Sequence, residues 1–123
     1  MKQKRRAVVL VAHGSRLEAA NEEVRQVAAR LEERLETPVV AAFLELAAPD
    51  IPTGIDLALA KSPREILVLP YFLTQGRHVQ EDIGAPLAAK ARAYPETSIR
   101  LLDYLGKDGA LVELLAERLG KVT

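Results

Sequence analysis

Four short runs of apolar residues alternate along the chain with segments in which apolar residues recur at helical spacing. The first run, over residues 7–12, is apolar at every position, which is typical of a strand buried on both faces of a parallel sheet. We predict further strands over 39–44, 66–69 and 99–102. These four runs supply the strands of one sheet.

The segments after the first and the last run predict core-facing helices. The first helix covers about 17–35, and Ser15 with Glu18 three residues later forms a capping-box pattern at its start. The last helix is capped by Asp108 and stops at Gly120. The two apolar stripes consist of Leu17, Ala20, Val24, Val27, Leu31 and Leu35 in the first helix and of Leu111, Leu114, Leu115 and Leu119 in the last.

Two further helices are expected between the remaining strands. A proline-flanked turn after the second strand starts a short second helix. The segment 71–84 is less regular, and we interpret it as a loop that enters a third helix ending near Ala93. Asp82 is a candidate cap for this third helix, and Gly84 and Pro86 disturb it locally.

The order of the predicted elements is βαβαβαβα, which indicates the fold class. Such an order favours an α/β protein with three αβα layers, a four-stranded parallel sheet and right-handed crossovers. A length of 123 residues fits one compact domain. We therefore predict a single domain over 1–123, in which residues 1–6 form a basic amino-terminal tail.

Composition narrows the functional classes. The formal net charge is zero, which removes the long-range attraction that a nucleic-acid-binding protein needs, so no nucleic-acid partner is expected. The chain has no cysteine, which excludes thiolate metal ligands and is compatible with a cytoplasmic location. The apolar run after the basic tail is too short for a signal peptide, and no segment is long enough to span a membrane.

Candidate chemistry lies where the predicted strands end. His13 follows the first strand, Glu45 follows the second, and His78 lies in the segment after the third. The carboxyl ends of parallel strands share one edge of the sheet, so we expect these three side chains to converge. Two imidazoles and a carboxylate form a donor set suited to Fe, Co, Ni or Zn, or a general-base pair assisted by a carboxylate.

The turn after the first strand is a candidate anion site. Backbone N–H groups of Gly14 and Ser15 lie at the start of the first helix, where the helix dipole favours negative charge. Arg16 and Arg77 each lie close in sequence to one of the two histidines and suit ligand carboxylates. The chain contains neither a Walker loop nor a Gly-x-Gly-x-x-Gly motif, so no nucleotide cofactor is expected.

Several motifs together resemble those of the sirohydrochlorin cobaltochelatase and ferrochelatase family, the small class II tetrapyrrole chelatases. They are VLVAHGSR at 9–16, FLE at 43–45, PYFL at 70–73 and GRH at 76–78, and they occur in the family's order. The resemblance implies a chelatase-like (flavodoxin-like) fold. It also implies ATP-independent insertion of Co²⁺ or Fe²⁺ into sirohydrochlorin, in cobalamin or siroheme biosynthesis.

The resemblance also implies roles for particular residues. His13 and His78 would bind the metal and assist deprotonation of the macrocycle, and Glu45 would participate in this catalysis and metal binding. Gly14, Ser15, Arg16, Gly76 and Arg77 are the candidates for binding the substrate's carboxylates. A chain of this length resembles the single-half form of the family, which works as a homodimer with its cleft between protomers.

Two other functions remain open from the residues alone. The same ligands could hold a metal or a tetrapyrrole as cargo without accelerating insertion, which would make the protein a carrier. His13 could instead act as a nucleophile in phosphoryl transfer. Ala12 stands where histidine phosphatases have the arginine that clamps phosphate, so this second alternative is disfavoured.

Overall fold

A computed structural model of the chain describes residues 5–122, except for the side chain of His78. Its centre is a parallel sheet in the strand order β2-β1-β3-β4. The strands are β1 (Arg6–Ala12), β2 (Val39–Phe43), β3 (Glu65–Pro70) and β4 (Ser98–Leu101). All four predicted strands are therefore confirmed, as is the parallel arrangement.

Helices follow each strand in turn, which confirms the predicted βαβαβαβα order. They are α1 (Glu18–Leu35), α2 (Ile51–Leu59), α3 (Arg77–Ala93) and α4 (Ala110–Gly120), and a single 3₁₀ turn (Leu105–Lys107) precedes α4. No helix in the described range 5–122 is both long enough and apolar enough to cross a membrane.

The start of α3 differs from the prediction. The helix begins at Arg77, so Asp82 lies in its second turn and does not cap it. Pro86 lies inside the helix, where it cannot donate a backbone hydrogen bond and its ring crowds the preceding turn. Ile83 and Leu87 are buried against the sheet on either side of it. The burial of these two side chains stabilises the helix and offsets the cost of Gly84 and Pro86, which both disfavour a helix.

The two faces of the sheet are covered unequally. One face packs against both α2 and α3, and the other packs against α1. The first of these contacts joins Val9, Val11, Ile66 and Val68 of the sheet to Ile55, Ile83 and Leu87 of the helices. The second joins Val8 and Leu10 to Val24, Ala28 and Leu31. The layers αβα are thus present, with two helices on one side and one packed helix on the other.

The predicted core stripe of α4 is not buried in this chain, which corrects the prediction. Leu114 and Leu115 are each 51% exposed, Leu119 is 73% exposed, and α4 contains no buried residue. The helix packs mainly against the 3₁₀ turn before it. The stripe of α1 is also shorter than predicted, because Leu17 and Leu35 at its two ends are exposed.

Candidate functional site

The strand order reverses its direction between β1 and β3, which fixes where a ligand crevice can form. From β1 the chain crosses to β2 on one side, and from β3 it crosses to β4 on the other. In open α/β sheets, ligands bind outside the carboxyl ends of the strands at such a reversal. The residues that follow β1 and β3 are therefore the first ones to consider.

His13 and Phe72 meet across this reversal. The imidazole of His13 stacks on the phenyl ring of Phe72, with 4.3 Å between ring centroids and an angle of 29° between the ring planes. Phe72 is 4% exposed, whereas His13 is exposed. The imidazole is thus supported on one face by a buried aromatic ring and remains open to a ligand elsewhere.

Glu45 lies directly beside His13, as predicted. The hydrogen-bonded pairing of β1 with β2 continues past the ends of both strands. Leu44 N–H donates to the Ala12 carbonyl at 3.0 Å, and Glu45 N–H donates to the His13 carbonyl at 3.1 Å. The Glu45 side chain is exposed at this edge. Two members of the predicted trio are therefore neighbours in the sheet.

Gly14 makes this close pairing possible. Its φ is +92°, and an added Cβ would overlap the Glu45 carbonyl oxygen. An L-residue with a side chain is strained at this φ and has no space here. The glycine thus lets the chain turn sharply after His13 while the Glu45 backbone stays in contact.

Asn21 fixes the turn that follows, and sequence reasoning missed it. Its side-chain oxygen accepts from Ser15 N–H at 2.8 Å, and its amide nitrogen donates to the Ser15 carbonyl at 2.8 Å. Asn21 is 3% exposed. Its position at helical spacing with Val24 and Ala28, on the sheet-facing side of α1, is the pattern that could have identified it.

This clamp corrects two predictions about Ser15. The Ser15 N–H is bonded to Asn21, so it is not free for the anion that we expected it to bind. The Ser15 hydroxyl accepts from Leu17 N–H at 3.0 Å and does not form the predicted capping box with Glu18. Within residues 5–122, Gly14 N–H has no hydrogen-bond partner and remains available to a ligand.

Arg25 holds the loop that carries Glu45, a role that its solvent-facing helix position did not suggest. Its guanidinium donates to the Ala48 carbonyl at 3.3 Å and lies 5.3 Å from the centroid of the Phe43 ring. It also pairs with Glu18 at 2.6 Å, and this hydrogen bond, helped by a second one from Asn21, lowers the pKa of the Glu18 carboxyl. Helix α1 and the loop after β2 are thereby joined.

The amino end of α3 lies at the same edge of the sheet, because α3 directly follows β3 and its short loop. Gly76 precedes the helix, and the backbone of His78 belongs to its first turn. The side chain of His78 lies outside the described part of the chain, so its convergence with His13 and Glu45 stays a prediction. Among the described residues, no three His, Cys, Asp or Glu side chains are grouped to hold a metal.

The two predicted arginines are exposed at this edge. Neither Arg16 nor Arg77 forms an ion pair with another described residue. Around Gly76, nothing lies within 4 Å of the position that a Cβ would occupy. Binding of carboxylates by Arg16 and Arg77 stays a prediction, and both guanidinium groups are available for it.

A cavity of about 200 Å³ lies at the same edge, between the ends of β3 and β4 and the start of α3. Gln75, Gln80, Tyr104 and Lys107 contribute polar groups to its lining. Its volume is below the range of about 300–1,000 Å³ that encloses a drug-sized ligand. This cavity by itself is therefore too small to enclose a large flat ligand.

The stacking of His13 on Phe72 makes a prediction for proton NMR. In Phe72→Leu the ring current is lost, so we expect the His13 Cε1–H resonance to move downfield. The buried volume is largely kept, and the free energy of unfolding should fall by only about 1–1.5 kcal/mol. A His78→Gln variant identifies which of the two histidine signals belongs to His13. An unchanged His13 resonance in Phe72→Leu would show that the rings do not stack in solution.

The fold and this edge define a class: a small parallel α/β protein with a histidine at the reversal point of its sheet and a glutamate beside that histidine. Within that class, the chain belongs to the CbiX family, whose model matches residues 7–122. The predicted family resemblance and the predicted fold class are thereby confirmed.

Individual relatives agree with the family assignment. The chain is 28% identical over 116 residues to the sirohydrochlorin ferrochelatase of Priestia megaterium, covering 94% of this chain and 44% of that protein. It is 37% identical over 78 residues to the sirohydrochlorin cobaltochelatase of Methanocaldococcus jannaschii, covering 63% of this chain and 54% of that protein. The chain thus spans about half the length of the curated relatives it matches.

Solved structures are similar over nearly the whole chain. The sirohydrochlorin chelatase SirB from Bacillus subtilis subspecies spizizenii, in complex with cobalt, has a TM-score of 0.81 at 27% identity, covering 96% of this chain and 51% of that one. A putative cobalamin biosynthesis CbiX protein from Marinobacter aquaeolei VT8 has a TM-score of 0.74 at 27% identity. That alignment covers 95% of this chain and 99% of the other.

Proposed function

We propose that this protein inserts Co²⁺ or Fe²⁺ into sirohydrochlorin without ATP, as a step of cobalamin or siroheme biosynthesis. The observation that carries the proposal is His13, stacked on buried Phe72 and paired through its backbone with Glu45, in a chain of the CbiX family. Relatives named as ferrochelatases and as cobaltochelatases support the choice of these two metals. Ni²⁺ suits the same nitrogen and oxygen ligands and is a third candidate.

The chemistry of metallation suits these side chains. Two pyrrole N–H protons must leave the macrocycle as one divalent cation enters, so the reaction releases two protons for each metal. An imidazole that is neutral near pH 7 can bind such a metal or accept a proton. We assign both tasks to His13 and His78, and we assign charge balance and orientation of an imidazole to Glu45.

Recognition of the substrate must be local, because the protein has no net charge and sirohydrochlorin carries eight carboxylates. Arg16 and Arg77 are exposed at the edge that holds His13 and suit bidentate pairing with carboxylates. Gly14 N–H and the open backbone at Gly76 are further contacts that we propose, and Ser15 would contribute only through its side chain. Each charge-assisted hydrogen bond contributes about 1.5–3 kcal/mol.

We propose that the working form is a homodimer and that the macrocycle lies between the two copies. The cavity at the candidate edge is too small to enclose it, which supports a cleft closed by a second copy. The exposed apolar residues of α4 support self-association. A cytoplasmic location fits a substrate such as Fe²⁺, which a reducing compartment keeps in its divalent state.

Anaerobic metallation of sirohydrochlorin, followed by absorbance with each metal in turn, tests the proposed activity. We expect many product molecules per chain, at a rate well above the reaction without protein. Glu33 is an exposed residue in the last turn of α1, at the end of that helix far from His13, so Glu33→Gln is a control expected to act like wild type. Product that stops at one equivalent per site would instead identify a carrier and contradict the proposal.

A further inference from the structure

Two exposed leucines flank His13 at the carboxyl edge of the sheet. Leu46 follows β2 and Leu73 follows β3, the two strands that pair with β1 on either side. Their side chains are 54% and 64% exposed. Glu45 N–H donates to the His13 carbonyl at 3.1 Å, and the Phe72 ring stacks on the His13 imidazole. Each leucine is thus the next residue after one that contacts His13 directly.

Tight backbone contacts hold both leucines in place. An added Cβ on Gly14 would overlap the carbonyl oxygen of Glu45, in the peptide group that leads into Leu46. An added Cβ on Gly106 would overlap the Leu73 carbonyl oxygen in the same way. Glycine at these two positions lets the chain pack directly against the peptide groups beside the leucines. The two apolar side chains are therefore exposed although their backbone is fixed.

Leu46 has a backbone conformation that leucine disfavours. Its φ is +65°, in the left-handed region, where glycine and asparagine occur far more readily than leucine. The residue thus carries backbone strain, and its side chain is not buried by the chain itself. Strain of this kind clusters where proteins hold ligands. Both features are unfavourable for the chain alone, and contact with an apolar ligand surface would offset the exposure.

Cationic groups lie at the same edge as this apolar pair. Arg16 and Arg77 are exposed there, and neither forms an ion pair with another residue in the described range. The proposed substrate has the complementary character, because a conjugated tetrapyrrole ring has apolar faces and sirohydrochlorin carries its carboxylates at the periphery. A second copy packed directly on this edge would instead bring like charges together. The combination therefore favours an anionic ring as the occupant.

We propose that Leu46 and Leu73 hold one face of the sirohydrochlorin ring beside the His13 imidazole. This proposal rests on the metallation activity proposed above and names the residues that contact the ring. Neighbouring strands lie about 4.8 Å apart, so the connections after β2 and β3 leave the sheet roughly 10 Å apart, a span that a tetrapyrrole ring covers. A ring supported on both sides of His13 keeps its pyrrole nitrogens oriented toward that imidazole.

Binding of sirohydrochlorin without metal tests the ring contact apart from metallation. Leu46→Asn and Leu73→Asn are compared with wild type by the fluorescence of the ligand, under anaerobic conditions with a chelator present. We expect each dissociation constant to rise about fivefold, because each leucine buries its exposed part on binding. Leu35→Asn is the matched control. Leu35 is 50% exposed at the end of α1 far from His13, so its variant should bind like wild type.

Two further measurements distinguish ring contact from damage to the fold or to the charge of the edge. Asparagine tolerates a left-handed φ, so Leu46→Asn should unfold at no lower temperature than wild type although it binds the ring less tightly. The loss of affinity in both leucine variants should be the same at low and at high ionic strength. Arg16→Gln, by contrast, should lose affinity mainly at low ionic strength, where the attraction between charges is least screened.

Other results overturn the proposal in distinguishable ways. Wild-type affinity in both leucine variants, with metallation present in the unsubstituted protein, would eliminate the ring contact and keep the proposed activity. No binding of sirohydrochlorin by the unsubstituted protein would contradict both. If light scattering showed that the two leucine variants dissociate a dimer while each remaining chain binds the ring like wild type, the leucines would belong to a contact between copies.

Discussion

His13→Ala is expected to lower kcat/KM for sirohydrochlorin metallation by about 10²–10⁴-fold, the usual contribution of a positioned proton-transfer group. The loss should be this large because His13 lies at the reversal point of the sheet, where its imidazole stacks on the Phe72 ring. Anaerobic absorbance assays with Co²⁺ and with Fe²⁺ measure it. Removing an exposed imidazole should leave the thermal unfolding temperature close to that of wild type.

Comparison with Glu45 and with the double variant sharpens this result. If His13 and His78 act on the same step, their double alanine variant should lose little more than His13→Ala alone, since residues that act as a unit are not additive. Glu45→Gln keeps the shape of the side chain and removes its charge, and Glu33→Gln makes the same change away from the edge. A His13→Ala, His78→Ala variant as fast as wild type would eliminate the proposed mechanism.

Gly14→Ala is expected to destabilise the fold by at least about 3 kcal/mol, through a strained backbone and a clash at the candidate site. The Gly14 φ of +92° disfavours alanine, and the new Cβ would overlap the Glu45 carbonyl oxygen. Either the β1–β2 pairing at His13 opens or Glu45 moves, so metallation should also be lost. Thermal unfolding and the absorbance assay measure the two effects.

Gly84→Ala is the matched control for this substitution. Gly84 lies inside α3, and nothing is within 4 Å of the position that its Cβ would occupy. Alanine there should stabilise the helix by about 0.5–1 kcal/mol. If Gly14→Ala were as stable as Gly84→Ala, the tight turn after β1 would have to differ from the one described.

The sequence predicts the sheet well because burial on both faces leaves a nearly continuous apolar run, which is visible without any partner. It predicts the placement of His13 and Glu45 for a related reason, since parallel strands share one carboxyl edge. Asn21 and Arg25 could not be found in this way. Their roles depend on bonds to Ser15 and Ala48, which are distant in sequence or lie in loops whose path no periodicity specifies.

The error at α4 has a different physical origin. An apolar stripe indicates that a helix buries one side, but it does not say against what. For α1 the answer is the sheet of the same chain, because α1 directly connects two neighbouring strands. For α4 no strand follows within 5–122 to draw the helix back over the sheet. The leucines of α4 therefore predicted a burial that this chain does not provide.

Phe72 contacts two different parts of the chain, one with its side chain and one with its backbone. Its ring supports the His13 imidazole, whereas its backbone carbonyl receives the Gly106 N–H that anchors the path to α4. The carbonyl is present whatever side chain follows it, but the support for His13 requires a flat ring. Replacing the Phe72 side chain should therefore remove the support of the His13 imidazole and keep the backbone hydrogen bond that anchors the segment before α4.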